Sequence, residues 1–423
     1  MSPPKPTLVF AGLDAMGYGM AYHLLASGFP VIGYDAHQPA MLKLVAEGGQ
    51  SANTPREAAK DVLFFICMVS SSLQATPLFF DENIGAVHAM PKNATILMCS
   101  TVAPAYIDEL RTRLDRVGRE DVRLVDCPVS GGAIKAANGT LSIFSSGDES
   151  HLANVDSILN CLSAKLYKVP GGLGAGSKAR MIHEIFASVN IAIASEAIGL
   201  AAAAGLNTSA AFEDLKDGDG ASQMFNSRVP HMLDPSLPSY STMTVLAKEV
   251  NIITSTGRDN QFPLPLVSTA GQLIVKALSA GWGTENDCAL VRLYLPGREN
   301  LVEHEAKPFH YSESPPIEVE DIRNMMIGVH LVATTEAMSF CDHLGIESAL
   351  MFDIVSHAAG ATAIFLKTYS ELQKGHWSLK SVTGIEEIRD NLMAAVDKTY
   401  SLRYPLFLSS AALQEFHRQL QRQ

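Results

Sequence analysis

Short apolar segments alternate with helical segments through the first 125 residues of this 423-residue chain, and this alternation limits the fold more than any other feature. The strand candidates are separated by stretches in which apolar residues recur at helical spacing. Such alternation favours a parallel, doubly wound sheet with helices on both faces. The strand candidates are residues 7–12, 30–34, 62–69, 94–98 and 122–125, and the helix candidates are residues 14–27, 39–47 and 104–117.

The first strand candidate is joined to the first helix candidate by a glycine-rich turn, Gly12-Leu13-Asp14-Ala15-Met16-Gly17. The turn resembles the G-x-G-x-x-G fingerprint of Rossmann-type dinucleotide-binding domains, in which glycine lets the pyrophosphate approach the backbone. Asp14 stands at the second glycine position, where its charge would repel each phosphate charge by roughly 1 kcal/mol in water. We expect cofactor affinity to fall about tenfold or more unless the carboxylate turns away to cap the helix.

A second acidic residue, Asp35, ends the second strand candidate, 18 residues after Gly17. An acidic side chain at this place in a dinucleotide fold binds the ribose 2′-hydroxyl of NAD. Residues 36–38 contain no arginine that could bind the 2′-phosphate of NADP. The pattern therefore favours NAD over NADP, and the alternative is a turn residue that only ends the strand.

Later segments resemble those of the β-hydroxyacid dehydrogenase family, in the order that this family shows. The most specific is 126–132, Asp-Cys-Pro-Val-Ser-Gly-Gly, which matches the substrate-binding motif D-x-P-V-S-G-G of that family. A serine hydroxyl and two glycine N–H groups can converge on a carboxylate because glycine lets the backbone come close. The resemblance covers about residues 7–297 and implies cofactor contacts from Val69, Ser70 and Thr101 and substrate contacts from Ser130, Gly131 and Gly132.

Residues 171–185 resemble the hinge of the same family, whose pattern Gly-x-Gly-x-x-x-Lys-x-x-Asn carries the catalytic lysine. Arg180 stands at the lysine position and His183 at the asparagine position, and the histidine is similar to the L-threonate dehydrogenase branch. Arginine stays protonated and cannot accept a proton, so Arg180 cannot play the acid–base role unchanged. Lys248 matches the family lysine that reaches the cofactor and substrate pocket.

Two roles for His183 follow from this pattern. Oxidation of a hydroxyl needs a group that takes the O–H proton as hydride leaves carbon, and histidine can accept a proton near neutral pH. His183 lies three residues after Arg180 on the same helical face. Either His183 is the base while Arg180 holds substrate charge, or His183 only hydrogen-bonds in the pocket.

The helical part of the chain contains an apparent repeat. We call residues 174–297 the first copy and residues 319–423 the second copy. Arg180 and His183 align with Glu320 and Arg323, so the second copy lacks these pocket residues and is expected to be structural, with an independent binding module as the alternative. The two members of each pair are separated by the same number of residues in Glu196/Glu336, Gly205/Gly345 and Gly220/Gly360. Phe262 and Tyr404 are separated by slightly more residues.

These observations predict four segments. Residues 1–173 form an NAD-binding Rossmann domain, 174–297 a helical dehydrogenase domain, 298–318 a linker and 319–423 a repeated all-α domain. Members of the family commonly associate through their helical domains, so the resemblance implies either a homo-oligomer or an intrachain pseudo-dimer of the two copies.

Composition and charge argue against some classes of binding partner. The net charge of −12 comes without a block of lysine and arginine, which argues against nucleic acid and anionic membranes as partners. Six scattered cysteines suggest reduced thiols and no metal site. The apolar stretch 185–204 is interrupted by polar residues and is expected to be a buried helix rather than a membrane span. The N-terminus shows no leader pattern, so we expect a cytoplasmic protein.

The leading interpretation is an NAD-dependent oxidoreductase that acts on a small hydroxycarboxylic acid resembling threonate or 3-hydroxyisobutyrate. Hydride would pass to or from the nicotinamide. Asp14 and Arg180 leave open a second interpretation, a catalytically impaired pseudoenzyme that serves as a scaffold or metabolite binder. A third is an imine or carbonyl reductase of the same fold, because related imine-reducing enzymes also replace the lysine.

Overall fold

The chain is described here by a computed structural model that covers residues 4–298, 300, 302 and 316–421. It divides into two compact units, Met1–Arg180 and Met181–Gln423. The predicted linker at 298–318 lies mostly outside the described residues. Both helical copies belong to the second unit apart from the first residues of the first copy, so they do not form two separate compact units.

The first unit contains the predicted parallel sheet, with the strand order β3-β2-β1-β4-β5-β6. Every pairing in this sheet is parallel. This order places β1 at the centre, where the connections change direction, which is the arrangement of a dinucleotide-binding fold. The strands are β1 (Leu8–Ala11), β2 (Val31–Tyr34), β3 (Gln50–Ser51), β4 (Phe64–Cys67), β5 (Thr95–Met98) and β6 (Arg123–Asp126).

Alternate residues of β1 belong to two different core clusters, because successive side chains of a strand point to opposite faces. Val9 and Ala11 are in one cluster, and Leu8 and Phe10 are in the other. A strand buried on both faces is typical of a parallel sheet covered by helices on both sides. The helices of this unit are α1 (Ala15–Ala26), α2 (Gln38–Ala46), α3 (Pro55–Ala59), α4 (Ser72–Phe80), α5 (Pro104–Arg116), α6 (Gly132–Ala137) and α7 (Glu149–Leu162), with a 3₁₀ turn at Ala86–His88.

A small second sheet follows the large one, and it is not apparent from the sequence. Its order is β7-β8-β9, with β7 antiparallel to β8 and β8 parallel to β9. The strand β7 has only two residues, too few for a periodicity to show. The strands are β7 (Val129–Ser130), β8 (Leu141–Ser145) and β9 (Ser163–Lys168).

The helix α8 (Ala175–Ala203) starts in the first unit and continues into the second. Its 29 residues are long and apolar enough to cross a membrane, but the apolar part is entirely buried within the protein. It is a core helix, as the sequence predicts. The other helices of the second unit are α9 (Thr208–Leu215), α10 (Gln223–Leu233), α11 (Met243–Asp259), α12 (Pro265–Ser279), α13 (Val319–His343), α14 (Ser348–Ser356), α15 (Ala363–Lys374), α16 (Ile385–Ser401) and α17 (Phe407–Gln421), with 3₁₀ segments at Asp287–Tyr294 and Leu379–Ser381.

Two buried glutamates each cap a helix that belongs to the other copy. Glu196, on α8, accepts hydrogen bonds from the first backbone N–H groups of α17, at 2.7 Å from Phe407 and 2.9 Å from Leu408. Glu336, on α13, accepts from the first N–H groups of α12, at 2.8 Å from Leu266 and 3.0 Å from Val267. The two glutamates are equivalent positions of the predicted repeat, and Leu266 and Leu408 are equivalent at its longer spacing.

A short antiparallel bridge joins Ser222 to Thr362, which are also equivalent positions of the two copies. The N–H of Gln223 donates to the carbonyl of Ala361 at 3.0 Å, and the N–H of Ala363 donates to the carbonyl of Ala221 at 2.9 Å. The hydrogen bond from one copy to the other is thus matched by an equivalent bond in the opposite direction, as at a two-fold interface between identical surfaces. These contacts follow the spacings of the predicted repeat, which stays a prediction.

Candidate active site

The segments predicted to bind the cofactor follow strands β1, β2, β4 and β5. The glycine-rich turn comes after β1, Asp35 after β2, Val69 and Ser70 after β4, and Thr101 after β5. Because the carboxyl ends of parallel strands meet at one edge of a sheet, these residues are brought together there. This edge beside the central strand is where open α/β sheets bind ligands.

Two positions of the turn require glycine. Gly12 has a φ of +96°, and a side chain there would collide with the carbonyl oxygen of Met68. A side chain at Gly17 would collide with the carbonyl oxygen of Gly12. The turn therefore retains glycine at the two positions where its own packing demands it.

Asp14 occupies a backbone conformation that any residue can adopt, with a φ of −67° and a ψ of −173°. Its carboxylate caps α1 by accepting hydrogen bonds from the N–H groups of Met16 at 3.1 Å and Gly17 at 3.0 Å. This is the capping arrangement that the sequence left open as an alternative. It stabilises the helix, but it keeps a negative charge at the helix start, where a pyrophosphate would bind.

Asp35 links the end of β2 to the glycine-rich turn. Its two carboxylate oxygens accept from the N–H of Leu13 at 2.6 Å and from the N–H of His37 at 2.7 Å. A carboxylate offers about four acceptor positions, so these two bonds leave capacity for ribose hydroxyls. The position and the remaining capacity of Asp35 fit the predicted contact with a nicotinamide dinucleotide.

A buried carboxylate, Asp126, holds the start of α8, a role that its sequence pattern does not reveal. Asp126 accepts from both the N–H and the hydroxyl of Ser177 at 2.7 Å each, and from the hydroxyl of Ser146 at 3.2 Å. The Ser146 hydroxyl in turn accepts from the N–H of Gly176 at 2.8 Å. The available signal was that Asp126 opens the D-x-P-V-S-G-G motif and that Ser177 follows the hinge glycines.

Burial raises the pKa of Asp126 to about 6, although its hydrogen bonds with Ser177 and Ser146 lower it. Between the ordinary value of 3.8 and about 6, the folded protein binds this proton more readily than the unfolded chain does. The contribution of Asp126 to stability is therefore largest below pH 4 and declines as the pH rises to about 6. We expect Asp126→Asn, which is neutral and of the same shape, to flatten the unfolding free energy between pH 4 and 6. Urea unfolding at several pH values measures this slope, and an unchanged slope would assign the pH dependence to other groups.

Arg180 lies at the substrate-binding motif. Its Nε donates to the carbonyl of Val129 at 3.1 Å, and the residue is only 8% exposed. Val129 belongs to β7 and directly precedes Ser130, and the next two residues, Gly131 and Gly132, have φ values of +143° and +74° that favour glycine. The structure thus brings Arg180 to Val129, 51 residues earlier in the chain and directly before the Ser-Gly-Gly segment.

Both ring nitrogens of His183 are engaged in the second unit. Nε2 accepts from the backbone N–H of Gly360 at 3.3 Å, and Nδ1 lies 3.1 Å from a carboxylate oxygen of Glu184. Because a backbone N–H can only donate, a neutral His183 carries its proton on Nδ1 and donates it to Glu184. The imidazole is fully buried. This geometry favours the hydrogen-bonding role of His183 over the role of base.

Lys248 lies on α11, with its ammonium 3.3 Å from a carboxylate oxygen of Glu249. The side chain of Lys248 is 31% exposed and that of Glu249 is 8% exposed. The Lys248 side chain is therefore partly exposed, whereas that of Glu249 is almost buried. Its predicted contact with the cofactor stays a prediction.

Sequence comparisons agree with this architecture. The profile of the NAD-binding domain of 6-phosphogluconate dehydrogenase matches residues 7–171, and that of the NAD-binding domain of NADP-dependent 3-hydroxyisobutyrate dehydrogenase matches residues 174–294. L-threonate dehydrogenase from Cupriavidus necator is 32% identical over 291 residues, which cover 68% of this chain and 97% of that protein. The chain belongs to the hydroxyacid dehydrogenase family. Mitochondrial 3-hydroxyisobutyrate dehydrogenase from Rattus norvegicus is 26% identical over 305 residues, covering 70% of this chain and 89% of that protein.

A solved structure of 3-hydroxyisobutyrate dehydrogenase from Salmonella typhimurium is similar in fold, with a TM-score of 0.62 and 31% identity. The similarity covers 69% of this chain and all of the other. The hydroxyacid dehydrogenase is thus an NAD(P)-dependent oxidoreductase of small hydroxy acids, with a Rossmann domain followed by a helical domain. The matched profiles end at residue 294, before the second copy begins.

Proposed function

We propose that this hydroxyacid dehydrogenase is catalytically competent, uses NAD, and oxidises a small hydroxycarboxylic acid such as L-threonate. The observation that carries the proposal is the hydrogen bond from Nε of Arg180 to Val129. It fixes a permanent positive charge beside Ser130, Gly131 and Gly132, the segment expected to bind the substrate carboxylate. A group held in this way replaces the missing lysine as a charge, although it cannot replace the lysine as a base.

Arg180 has the chemistry to stabilise negative oxygen. A guanidinium offers five N–H donors in a rigid fork, and its hydrogen bonds to an anion are about twice as strong as neutral ones. The hydrogen bond from Nε to Val129 fixes the orientation of the guanidinium and therefore of its terminal N–H groups. They would bind the substrate carboxylate or the oxygen that gains negative charge as the O–H proton leaves to water. His183, with both nitrogens engaged, would hold the helix rather than take the proton.

The proposed cofactor site consists of the glycine-rich turn, Asp35, Val69, Ser70 and Thr101. When bound, NAD would supply the hydride acceptor of the reaction. The contacts of Asp35 support NAD over NADP, because a carboxylate beside the ribose would repel a 2′-phosphate. The capping contacts of Asp14 support binding despite the lost glycine, since they turn the carboxylate onto the backbone of α1.

Asp14 is expected to weaken the cofactor without preventing its binding. In Asp14→Gly, the N–H groups of Met16 and Gly17 become available to the pyrophosphate and one negative charge disappears, so NADH should bind about tenfold more tightly. Asp14→Asn keeps the cap but not the charge and should recover part of this gain. Fluorescence titration with NADH, and with NADPH for comparison, measures both effects. Equal affinities in all three proteins would show that the phosphates do not approach Asp14.

A substrate panel tests the proposed function. Wild-type protein with NAD⁺ should form NADH from small hydroxy acids, and L-threonate and 3-hydroxyisobutyrate are the first to compare. The same protein with NADH and cyclic imines tests the reductase alternative. NADH binding without turnover of any hydroxy acid would overturn the proposal in favour of a pseudoenzyme, and turnover of imines alone would make the protein an imine reductase.

We also propose that the two helical copies form a pseudo-dimer within one chain of a cytoplasmic enzyme. The reciprocal caps and the Ser222–Thr362 bridge support it. Residues in such a non-hydrogen-bonded antiparallel pair have Cα atoms about 4.5 Å apart, close enough for a disulfide. In Ser222→Cys/Thr362→Cys, oxidation should give a cross-linked monomer on a non-reducing gel. A cross-linked dimer would show that the second copy pairs between chains.

A further inference from the structure

The second copy contacts α8 one turn after Arg180, at Gly360. The N–H of Gly360 donates to Nε2 of His183 at 3.3 Å, and the carbonyl of Gly360 accepts from the side-chain amide of Asn190 at 3.3 Å. His183 and Asn190 are seven residues apart and therefore lie on the same face of the helix. Two side chains of α8 thus hold one residue of the second copy.

A side chain at position 360 would collide with α8. A Cβ atom there would lie 2.9 Å from Cβ of Phe186 and 3.5 Å from Cδ2 of His183. The first contact is closer than real Cβ atoms allow, and Cβ of Phe186 moves only if the backbone of α8 moves. The ring of Phe186 is also packed edge-on against Phe365 of the second copy, with 5.2 Å between ring centroids.

We propose that Gly360 is a positioning residue for the dehydrogenase reaction. Its N–H selects the Nδ1-protonated form of His183, and its lack of a side chain lets α8 come close enough for that bond. The bond holds the turn of α8 that directly follows Arg180 in the same helix, and through that turn it would limit the movement of Arg180 itself.

The chain provides a matched control residue in its first copy. Gly220, the counterpart of Gly360 in the first copy, contacts Arg323 and Met326, which are the counterparts of His183 and Phe186. A Cβ atom at Gly220 would lie 3.3 Å from Cγ of Arg323 and 3.5 Å from Cβ of Met326. Gly220→Ala therefore disturbs the same interface from the other side, on a helix that does not carry Arg180.

The first test is the protonation of His183 in the full chain, which needs no activity. In ¹⁵N-histidine-labelled wild-type protein, the resonances that disappear in His183→Gln belong to His183. They should show a protonated Nδ1 and a pyridine-like Nε2. Gly360→Ala should shift these resonances, and Gly220→Ala should leave them in place. A protonated Nε2 in the wild-type protein would overturn the proposal outright, even if Gly360→Ala does not fold.

The kinetic test rests on the proposed function, whereas the resonance test does not. Gly360→Ala should lower kcat for the hydroxy acid about tenfold or more, because Arg180 is held less precisely. Gly220→Ala should keep kcat within about threefold of the wild-type value, whatever its melting temperature. His183→Gln retains an acceptor for the Gly360 N–H and should keep more activity than His183→Leu. Equal losses of kcat in Gly360→Ala and Gly220→Ala would reduce the role of Gly360 to stability.

Discussion

Replacement of Arg180 by methionine is expected to lower kcat/KM for hydroxy acid oxidation by about 100- to 1,000-fold. Methionine keeps an unbranched apolar stem, but it removes the positive charge beside Ser130 and the hydrogen bond to Val129. The loss corresponds to roughly 3–4 kcal/mol of transition-state stabilisation, which is typical of removing a charged donor from a developing oxyanion. Steady-state kinetics with NAD⁺ and the best substrate of the panel measure it.

Arg180→Lys distinguishes an arginine that works as a positioned charge from an arginine that has impaired an older lysine site. Lysine has no N–H in the place of Nε, so it cannot keep the bond to Val129 and also bind the substrate in the same way. We expect kcat/KM to fall about tenfold, with the cofactor affinity unchanged. A rise in activity above the wild-type value would contradict this account and would show that arginine had impaired an older lysine site.

Replacement of Glu196 by leucine is expected to lower the free energy of unfolding by about 3–5 kcal/mol. The carboxylate of this fully buried residue accepts from the N–H groups of Phe407, Leu408 and Ser409 and from the hydroxyls of Ser409 and Tyr294. Leucine leaves all of these donors buried without an acceptor. Because most of them belong to α17, the loss should also release this helix from the first copy. Urea unfolding followed by circular dichroism measures the change.

Glu336→Leu is the matched comparison, because Glu336 caps α12 with two backbone hydrogen bonds. We expect its unfolding free energy to fall by about half as much. Burial raises the pKa of Glu336 to about 8, so the folded protein takes up a proton below that pH. The contribution of Glu336 to stability is therefore largest at acidic pH and declines as the pH rises to about 8. The cost of Glu336→Leu should follow the same trend, and a cost at pH 9 as large as at pH 5 would contradict it.

Five of the six strands of the large sheet were predictable because their signal is local, whereas the two-residue strand β3 was not among the candidates. Apolar runs such as residues 30–34 and 94–98 end within one residue of β2 and β5, and the glycine-rich turn follows β1 as predicted. The resemblance to one family implied that Arg180 and the Ser-Gly-Gly motif serve one substrate site, and the hydrogen bond from Arg180 to Val129 is consistent with that prediction. These features depend on residues close in sequence or on motifs that carry their own chemistry.

The partners of buried polar groups were not predictable from such patterns. Asp126 meets Ser177 across 51 residues, His183 meets Gly360 across 177, and Glu196 meets Ser409 across 213. Periodicity identifies which face of a helix is buried but does not identify the atom that satisfies a buried carboxylate or imidazole. For the same reason the sequence left both roles of His183 open, whereas the geometry of its two ring nitrogens favours one of them.

The central claim, that Arg180 supports hydride transfer where the family uses lysine, is tested most directly by following the transferred hydrogen. Wild-type protein is incubated with NAD⁺ and L-threonate that carries deuterium at its carbinol carbons, and the NADH is analysed by mass spectrometry. The account predicts deuterated NADH from the wild-type protein and almost none from Arg180→Met. Absence of deuterated NADH from wild-type protein that binds NADH, with L-threonate and with every other deuterated hydroxy acid of the panel, would contradict it.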